Sequence, residues 1–180
     1  NNASNGGFTD VSVNAYYTDA VKWSVEKKIT SGTSASTFSP DASCTRAQIV
    51  TFLWRNAGSP AVSGSASKFT DVASDAYYAD AVAWAVEKGI TSGTSAATFS
   101  PDAACTRAQI VTFLWRAAGS HAAAAADQQF SDIASDAYYA AAAAWASEKG
   151  ITSGTSAAKF SPDSACTRAQ SVTFIYRAYK

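Results

Sequence analysis

The sequence predicts an all-α fold made of three tandem helix-loop-helix repeats. Equivalent aromatic residues recur with a spacing of 61 positions: Phe8, Phe69 and Phe130, then Trp23, Trp84 and Trp145. A fixed period of this length is typical of repeat architectures, in which each unit buries its apolar surface against its neighbours. Each unit also carries two segments with apolar residues at helical spacing. We place the units at residues 1–67, 68–128 and 129–180.

The first helix of each unit follows a short extended or turn segment such as 69–72. In the second unit we expect it from about residue 76 to residue 88, with Asp75 as N-cap and Gly89 as the C-terminal stop. Its apolar positions form two adjoining stripes: Tyr78, Val82 and Val86, then Tyr77, Ala81 and Trp84. The first unit has Lys28 where the second has Gly89, so we expect that helix end to be strained or differently capped.

The second helix of each unit begins at the sequence Cys-Thr-Arg-Ala-Gln, which occurs at 44–48, 105–109 and 166–170. A Thr followed three residues later by Gln, just before apolar residues, is the capping-box pattern of a helix N-terminus. The apolar arc that follows is too wide for a surface helix. We therefore expect these three helices to face one another in a central three-helix bundle, with Gly58 and Gly119 ending the first two.

An arginine occupies the first turn of every second helix, at Arg46, Arg107 and Arg168. A cation there opposes the helix macrodipole, at a cost of about 0.3–1 kcal/mol when partly exposed. An anion would explain the arginines, because free backbone N–H groups and a guanidinium would both point at it. The alternative is a solvated arginine, or one paired with an aspartate of the preceding turn: Asp41, Asp102 or Asp163.

The loop between the helices reads Ile-Thr-Ser-Gly-Thr-Ser in all three units, around Gly32, Gly93 and Gly154. Small hydroxyl residues around a glycine allow a ligand to approach the backbone closely, and they form an ordinary loop equally well. The repeated tryptophans have two interpretations as well. They are sugar-stacking platforms or, more commonly at helical spacing, core residues.

Composition excludes several classes of function. The 180 residues carry 14 basic and 14 acidic side chains, so no global field attracts nucleic acid or an anionic membrane surface. No apolar run approaches the roughly 18–20 residues of a membrane span, and we expect none. The chain starts at Asn1 and contains no Met, which leads us to expect a mature or excised segment.

Catalysis and metal binding have little support in the sequence. One cysteine precedes each second helix, and three cysteines cannot all pair within the chain. We interpret them as small buried side chains. The single histidine, His121, lies in a linker, so no repeated nucleophile-base set and no metal-ligand spacing is present. We expect no enzymatic activity, no cofactor and no metal.

The ordered motifs closely resemble the S-layer homology module. In the second unit they are Phe-Thr-Asp-Val at 69–72, Trp84, Gly-Ile at 89–90, Gly93, Phe-Ser-Pro at 99–101 and Thr-Arg-Ala-Gln at 106–109. The resemblance covers nearly the whole chain as three modules. The family's best-known signature ends in Thr-Arg-Ala-Glu. The glutamine found here preserves the capping geometry and removes a carboxylate beside the arginine.

The resemblance implies a pseudo-threefold prism of helices with binding grooves between neighbouring modules. It further implies a protein of the bacterial cell surface, held without covalent bonds by a secondary cell-wall polysaccharide or peptidoglycan-linked polymer that often bears a pyruvate ketal. Arginine would contact the ketal carboxylate, and the glycine loop would contact sugar oxygens. The polysaccharide-binding residues expected on this basis are Arg46, Arg107, Arg168, Gln48, Gln109, Gly32, Gly93, Gly154, Ser34, Ser95, Trp23 and Trp84.

Two expectations qualify this interpretation. The third unit departs most from the others, with Ala141 in place of Asp80 and Ser171 in place of Ile110. We therefore expect Arg46 and Arg107 to bind in preference to Arg168. The alternative function is a structural, self-assembling or protein-interaction module that joins other S-layer subunits.

Overall fold

The computed structural model describes residues 5–64, 68–123 and 129–180. Within these residues the chain forms six α-helices: α1 (Thr18–Glu26), α2 (Arg46–Asn56), α3 (Ala79–Glu87), α4 (Arg107–Ala117), α5 (Ala140–Glu148) and α6 (Arg168–Tyr179). The β-structure within the same ranges consists of isolated bridges. The all-α prediction is confirmed. The expected unit boundaries at 67/68 and 128/129 adjoin residues 65–67 and 124–128, which lie outside the described residues, and they stay predictions.

The first helices start later than we expected. Helix α3 begins at Ala79, and its N-cap is Tyr78, whose side chain makes no capping bond. The prediction of a start near residue 76 with Asp75 as N-cap is therefore wrong. Residues 76–78 form a turn that the Ala79 N–H closes onto the carbonyl of Ala76 at 3.0 Å. Tyr77 is 62% exposed, so it does not belong to an apolar helix stripe.

The ends of the first helices require a left-handed residue. Gly89 has φ +68° and its N–H donates to the carbonyl of Val86 at 3.0 Å. Lys28 occupies the same conformation at φ +59° and donates to Val25 at 2.9 Å. A side chain rarely adopts this conformation without cost. The strain expected at Lys28 is confirmed.

Capping boxes start all three second helices, as predicted. The N–H of Gln48 donates to Thr45 Oγ1 at 3.1 Å, and the N–H of Thr45 donates to Gln48 Oε1 at 3.0 Å. Helices α4 and α6 have the same paired bonds. Helix α2 ends at Asn56, and Gly58 follows its C-cap with φ +89°, so the glycine stop is also confirmed.

The closest pairs of helices each join two different repeats. Helix α3 packs on α2, α5 packs on α4, and α1 packs on α6. The edge of the Trp23 ring meets Tyr176 with centroids 5.5 Å apart in the last of these pairs. Helix α4 also contacts both α2 and α6, as expected of a central helix. The outline of a complete prism stays a prediction.

A closed ring of backbone hydrogen bonds joins the three repeats. The N–H of Cys44 donates to the carbonyl of Cys166, that of Cys105 to Cys44, and that of Cys166 to Cys105, at 2.8–2.9 Å. All three thiols are free and fully buried, which confirms the interpretation of the cysteines as small core residues. Burial raises the pKa of Cys44 to about 11 and that of Cys166 to about 12.

Candidate binding grooves

Two equivalent grooves lie where the three repeats meet. Groove A has a volume of about 310 Å³ and groove B about 370 Å³. Groove A combines Arg46 of the first repeat, the 91–94 loop and helix α4 of the second, and Tyr138 of the third. Groove B combines Arg107 of the second repeat, the 152–155 loop and helix α6 of the third, and Tyr16 of the first. Each groove therefore needs side chains from all three repeats.

The motif arginine forms a buried wall of each groove. Arg46 is only 3% exposed, and its Nε donates to the carbonyl of Phe99 in the next repeat at 2.9 Å. Its guanidinium lies over the rings of Phe99 and Phe113, 4.8 Å and 5.4 Å from their centroids. Desolvation lowers the pKa of Arg46. Within the described residues no ion pair joins it to an aspartate, so the expected pairing with Asp41 or its equivalents is not observed.

The helix N-terminus does not offer free N–H groups to an anion, contrary to our expectation. The N–H of Arg46 donates to Ala103 at 2.9 Å, and that of Ala47 donates to Pro101 at 3.0 Å. The capping box uses the N–H groups of Thr45 and Gln48. The first two donors join the repeats and the other two close the capping box, so none of the four is free to bind a ligand. An anion in the groove would therefore contact guanidinium groups and not the helix end.

An aspartate brace fixes the carbonyl that holds this arginine. Asp71 accepts the N–H groups of Phe99 and Ser100 at 2.9 Å and 2.8 Å. Desolvation acts to raise the pKa of Asp71, but the backbone donors outweigh it and the pKa is lowered. The brace stabilises Ser100 at φ +57° and sets the direction of the Phe99 carbonyl toward Arg46. Asp10 and Asp132 accept the equivalent N–H groups of Phe38 and Phe160 in the other two repeats.

A second arginine in each groove was missed by sequence reasoning. Arg116 lines groove A and Arg177 lines groove B. The Nη1 atoms donate to the carbonyls of Ile90 and Ile151, both at 3.1 Å, which holds the side chains over the loops. The described lining residues of the two grooves include no carboxylate. The recurrence of arginine at positions 55, 116 and 177 was the available signal.

The repeated exposed tyrosine was also missed as a groove residue. Tyr16, Tyr77 and Tyr138 are 62–63% exposed, an unusual state for so large an apolar ring. Tyr16 and Tyr138 line grooves B and A. Desolvation raises the pKa of each of the three phenols, so the hydroxyls remain donors at neutral pH.

The glycine loop lines the grooves through Gly93 and Gly154, which we named, and through neighbouring residues that we did not name. Ser92, Gly93 and Thr94 line groove A. Ser95 is not among its described lining residues, because its Oγ accepts the N–H groups of Ala97 and Thr98 and closes the turn. Ser34 forms the matching turn in the first repeat. The structure therefore assigns these two serines to the turn.

Gly93 has a structural reason to be glycine. Its φ is +95°, and an added Cβ would lie 2.5 Å from both Phe69 Cε1 and the carbonyl oxygen of Thr98. Gly32 and Gly154 are similarly enclosed. The close approach of the loop backbone to the first aromatic ring explains the residue without a ligand, and the same approach shapes the floor of the groove.

The remaining predicted residues divide between groove and core. Gln109 lines groove A while its Oε1 takes part in the capping box, and Gln48 has the same capping role. Trp84 is 7% exposed and lies in the hydrophobic core, and Trp23 packs against that core. Neither tryptophan is among the described lining residues of groove A or groove B. Their positions favour the core interpretation.

The third arginine lies in the same environment as the other two. The Nε of Arg168 donates to the carbonyl of Phe38 at 2.8 Å. Its buried Nη2 has no partner within the described part of the chain, whereas Nη2 of Arg107 donates to Thr152 Oγ1 at 3.3 Å. Groove B, built on the alanine-rich third repeat, has the same residue types as groove A. The preference for Arg46 and Arg107 stays a prediction.

The residues that the structure describes contain no cluster of three or more His, Cys, Asp or Glu side chains placed to hold a metal ion. None of their helices combines the length and the apolar character that crossing a membrane requires.

Comparison with known proteins gives one consistent family. Residues 7–50, 68–111 and 129–170 match the family described as the S-layer homology domain. The chain is 34% identical over 114 residues to a cell surface protein of Thermoanaerobacter kivui, covering 61% of this chain and 15% of that protein. It is 33% identical over 102 residues to a surface-layer 125 kDa protein of Lysinibacillus sphaericus, covering 57% and 8%.

A third relative carries an enzyme name. The chain is 36% identical over 110 residues to an endoglucanase of Bacillus sp. (strain KSM-635), which is 61% of this chain and 11% of that protein. The chain thus spans a small part of each of these relatives.

Proposed function

Because the chain belongs to the S-layer homology domain family, we propose that it anchors a protein at the cell surface by holding an acidic cell-wall polysaccharide in its grooves. The family and the surface-layer relative support a cell-wall anchoring role, and the relatives' names point to the cell surface. The family is one of anchoring modules, so the endoglucanase name stays with that relative. The extracellular bacterial location is part of the proposal.

The pair of arginines in each groove carries this proposal. The chain as a whole has no net charge, yet grooves A and B each have two guanidinium groups and no carboxylate among their described lining residues. Such a site selects an anion of limited size. A hydrogen bond between charged partners contributes about 1.5–3 kcal/mol, more than a neutral one. A sugar carboxylate such as a pyruvate ketal fits this requirement.

The other groove residues suit the sugar that would carry the carboxylate. Thr91, Ser92 and Thr94 bring hydroxyl and backbone groups to one side of groove A. Tyr138 presents an exposed ring on the other side, and aromatic rings pack well against the apolar face of a sugar. Polar contacts that select hydroxyl groups and a flat apolar contact are therefore present together, beside the charged pair.

Retention on cell-wall sacculi tests the proposal. The Arg55→Gln, Arg116→Gln and Arg177→Gln variant removes the arginine that recurs at this position in every repeat and that lines grooves A and B at Arg116 and Arg177. It leaves the buried Arg46, Arg107 and Arg168, which join the repeats, in place. We expect at least a tenfold loss of binding, since each charge-assisted bond contributes more than about 1.4 kcal/mol. Release of the ketal groups from the sacculi by mild acid should have the same effect.

A matched control separates specific contacts from charge. The Lys22→Gln, Lys88→Gln and Lys149→Gln variant removes the same total charge outside the grooves and should bind normally. Circular dichroism confirms that both variants are folded. Equal retention of the arginine variant and the wild type would refute the groove mechanism.

Self-assembly is the alternative function for the same chain. It predicts ordered polymers in light scattering without any polysaccharide, together with no retention on sacculi. The two arginines of each groove, without a carboxylate among the described lining residues, favour a polysaccharide that carries carboxylate groups.

A further inference from the structure

A second cavity adjoins groove B at Arg177. Its volume is about 450 Å³. The residues around it are Gln129, Ser147, Gly150, Thr152, Ser153 and Arg177. The last three also line groove B, so the two spaces are neighbours and Arg177 borders both. We call the second space the groove B extension.

The groove B extension has a different chemical character from the groove itself. Arg177 is the single charged group among its described lining residues. Ser147 Oγ donates to Gln129 Oε1 at 2.7 Å, which orients the amide. This bond uses the amide oxygen, so the amide NH₂ can donate to a ligand. Gly150, at φ +68°, adds an open stretch of backbone at the end of α5. These groups suit a neutral, hydroxylated ring.

Two residues that line the extension are peculiar to the third repeat. Ser147 occupies the position of Val25 and Val86, and Gln129 occupies that of Lys68. Valine at this helix position in the other two repeats shows that packing does not require a hydroxyl. Lys68 lies over the ring of Phe69, 4.6 Å from its centroid, whereas Gln129 bonds to Ser147. The departures of the third repeat thus create a polar pair beside its groove.

We propose that groove B and its extension form one site for two adjacent sugar units. This inference rests on the proposed function of groove B. The carboxylate-bearing sugar occupies groove B between Arg107 and Arg177, and the next, uncharged sugar occupies the extension. Arg177 contacts both units across the linkage, and Gln129 with Ser147 selects the hydroxyl pattern of the second. The third repeat is then a specialised copy and not a degenerate one.

Calorimetric titration with ligands of two lengths tests this site. The short probe is the methyl glycoside of a hexose pyruvate ketal, and the long probe is a size-fractionated oligosaccharide of at least two repeat units released from sacculi. The protein is the full chain with Arg116→Gln, which weakens groove A, and with Arg55→Gln, the equivalent change in the first repeat. We expect the long probe to bind roughly tenfold more tightly, as one or two added neutral hydrogen bonds allow.

Removal of the polar pair without a change of charge should remove only that gain. Ser147→Val with Gln129→Ala should lower affinity for the long probe roughly three- to tenfold and leave the short probe unchanged. Ser164→Val, at an exposed serine of the same repeat, is the matched control and should change neither affinity. An unaltered length preference in the double variant overturns the two-unit site alone. Failure of the starting protein to bind either probe overturns the proposed function as well.

Discussion

Replacement of Lys28 by glycine should stabilise the protein. Lys28 ends the first helix with φ +59°, where the second and third repeats have Gly89 and Gly150 at φ +68°. A side chain in this left-handed conformation costs roughly 1–2 kcal/mol. Glycine recovers this cost and loses about 0.5–1 kcal/mol through the greater freedom of the unfolded chain. We therefore expect a net gain of about 0.5–1 kcal/mol in the free energy of unfolding.

Thermal unfolding followed by calorimetry measures this gain. For a chain of this length, 1 kcal/mol corresponds to a shift of about 2–4 °C in Tm, so Lys28→Gly should raise Tm by roughly 1–4 °C. The reciprocal control is Gly89→Lys. A Cβ at Gly89 has no atom within 4 Å, so that change tests backbone conformation alone and should lower Tm by a similar amount. An unchanged or lower Tm for Lys28→Gly would contradict the assignment of strain to this residue.

Two further predictions concern the glycine loop and the thiols. Gly93→Ala should destabilise the protein by about 2 kcal/mol or more in denaturant titration, because its Cβ would overlap Phe69 and Thr98 at φ +95°, whereas Gly58→Ala, at φ +89° with no atom within 4 Å, should cost only about 1–2 kcal/mol. The buried thiols should make the protein less stable in alkali. The folded state retains their protons above the ordinary pKa of 9.0, so unfolding releases protons and the free energy of unfolding falls from about that pH toward pH 11. The slope is up to roughly 1.4 kcal/mol per pH unit for each thiol, and a triple Cys→Ala variant should have a visibly smaller slope. Rapid reaction of native protein with a thiol reagent at pH 8 would show that the thiols are accessible and would refute this explanation.

The caps and ends of the helices could be predicted from the sequence. The Thr-to-Gln spacing predicted the capping box at Thr45, and the glycine at position 58 predicted the end of α2. The misfit at Lys28 was visible because two other repeats have glycine there. Each of these features depends on residues within a few positions of one another. Local interactions therefore determine these features without contacts from other repeats.

Contacts between repeats could not be predicted from the sequence in the same way. Arg46 donates to the carbonyl of Phe99, 53 residues away. The sequence alone is equally consistent with a bond to Phe38, the equivalent phenylalanine of its own repeat. When three copies share their residues, a pattern cannot tell which copy supplies a contact. The same ambiguity hid the groove positions of Tyr16 and Tyr138, because the equivalent Tyr77 fitted a helix stripe in its own repeat. The use of the helix N–H groups between repeats was also hidden, so a free anion site was wrongly expected.

The hydrogen-bonded ring of Cys44, Cys105 and Cys166 takes one residue from each repeat, so it limits how few repeats the gene can encode. Recombination between near-identical repeats readily deletes one unit of 61 residues. A chain with two units leaves the ring open and exposes the helix faces that the missing unit covered. It also loses grooves A and B, because each takes side chains from all three units. Under the proposed function, loss of a single copy therefore removes both of these grooves at once.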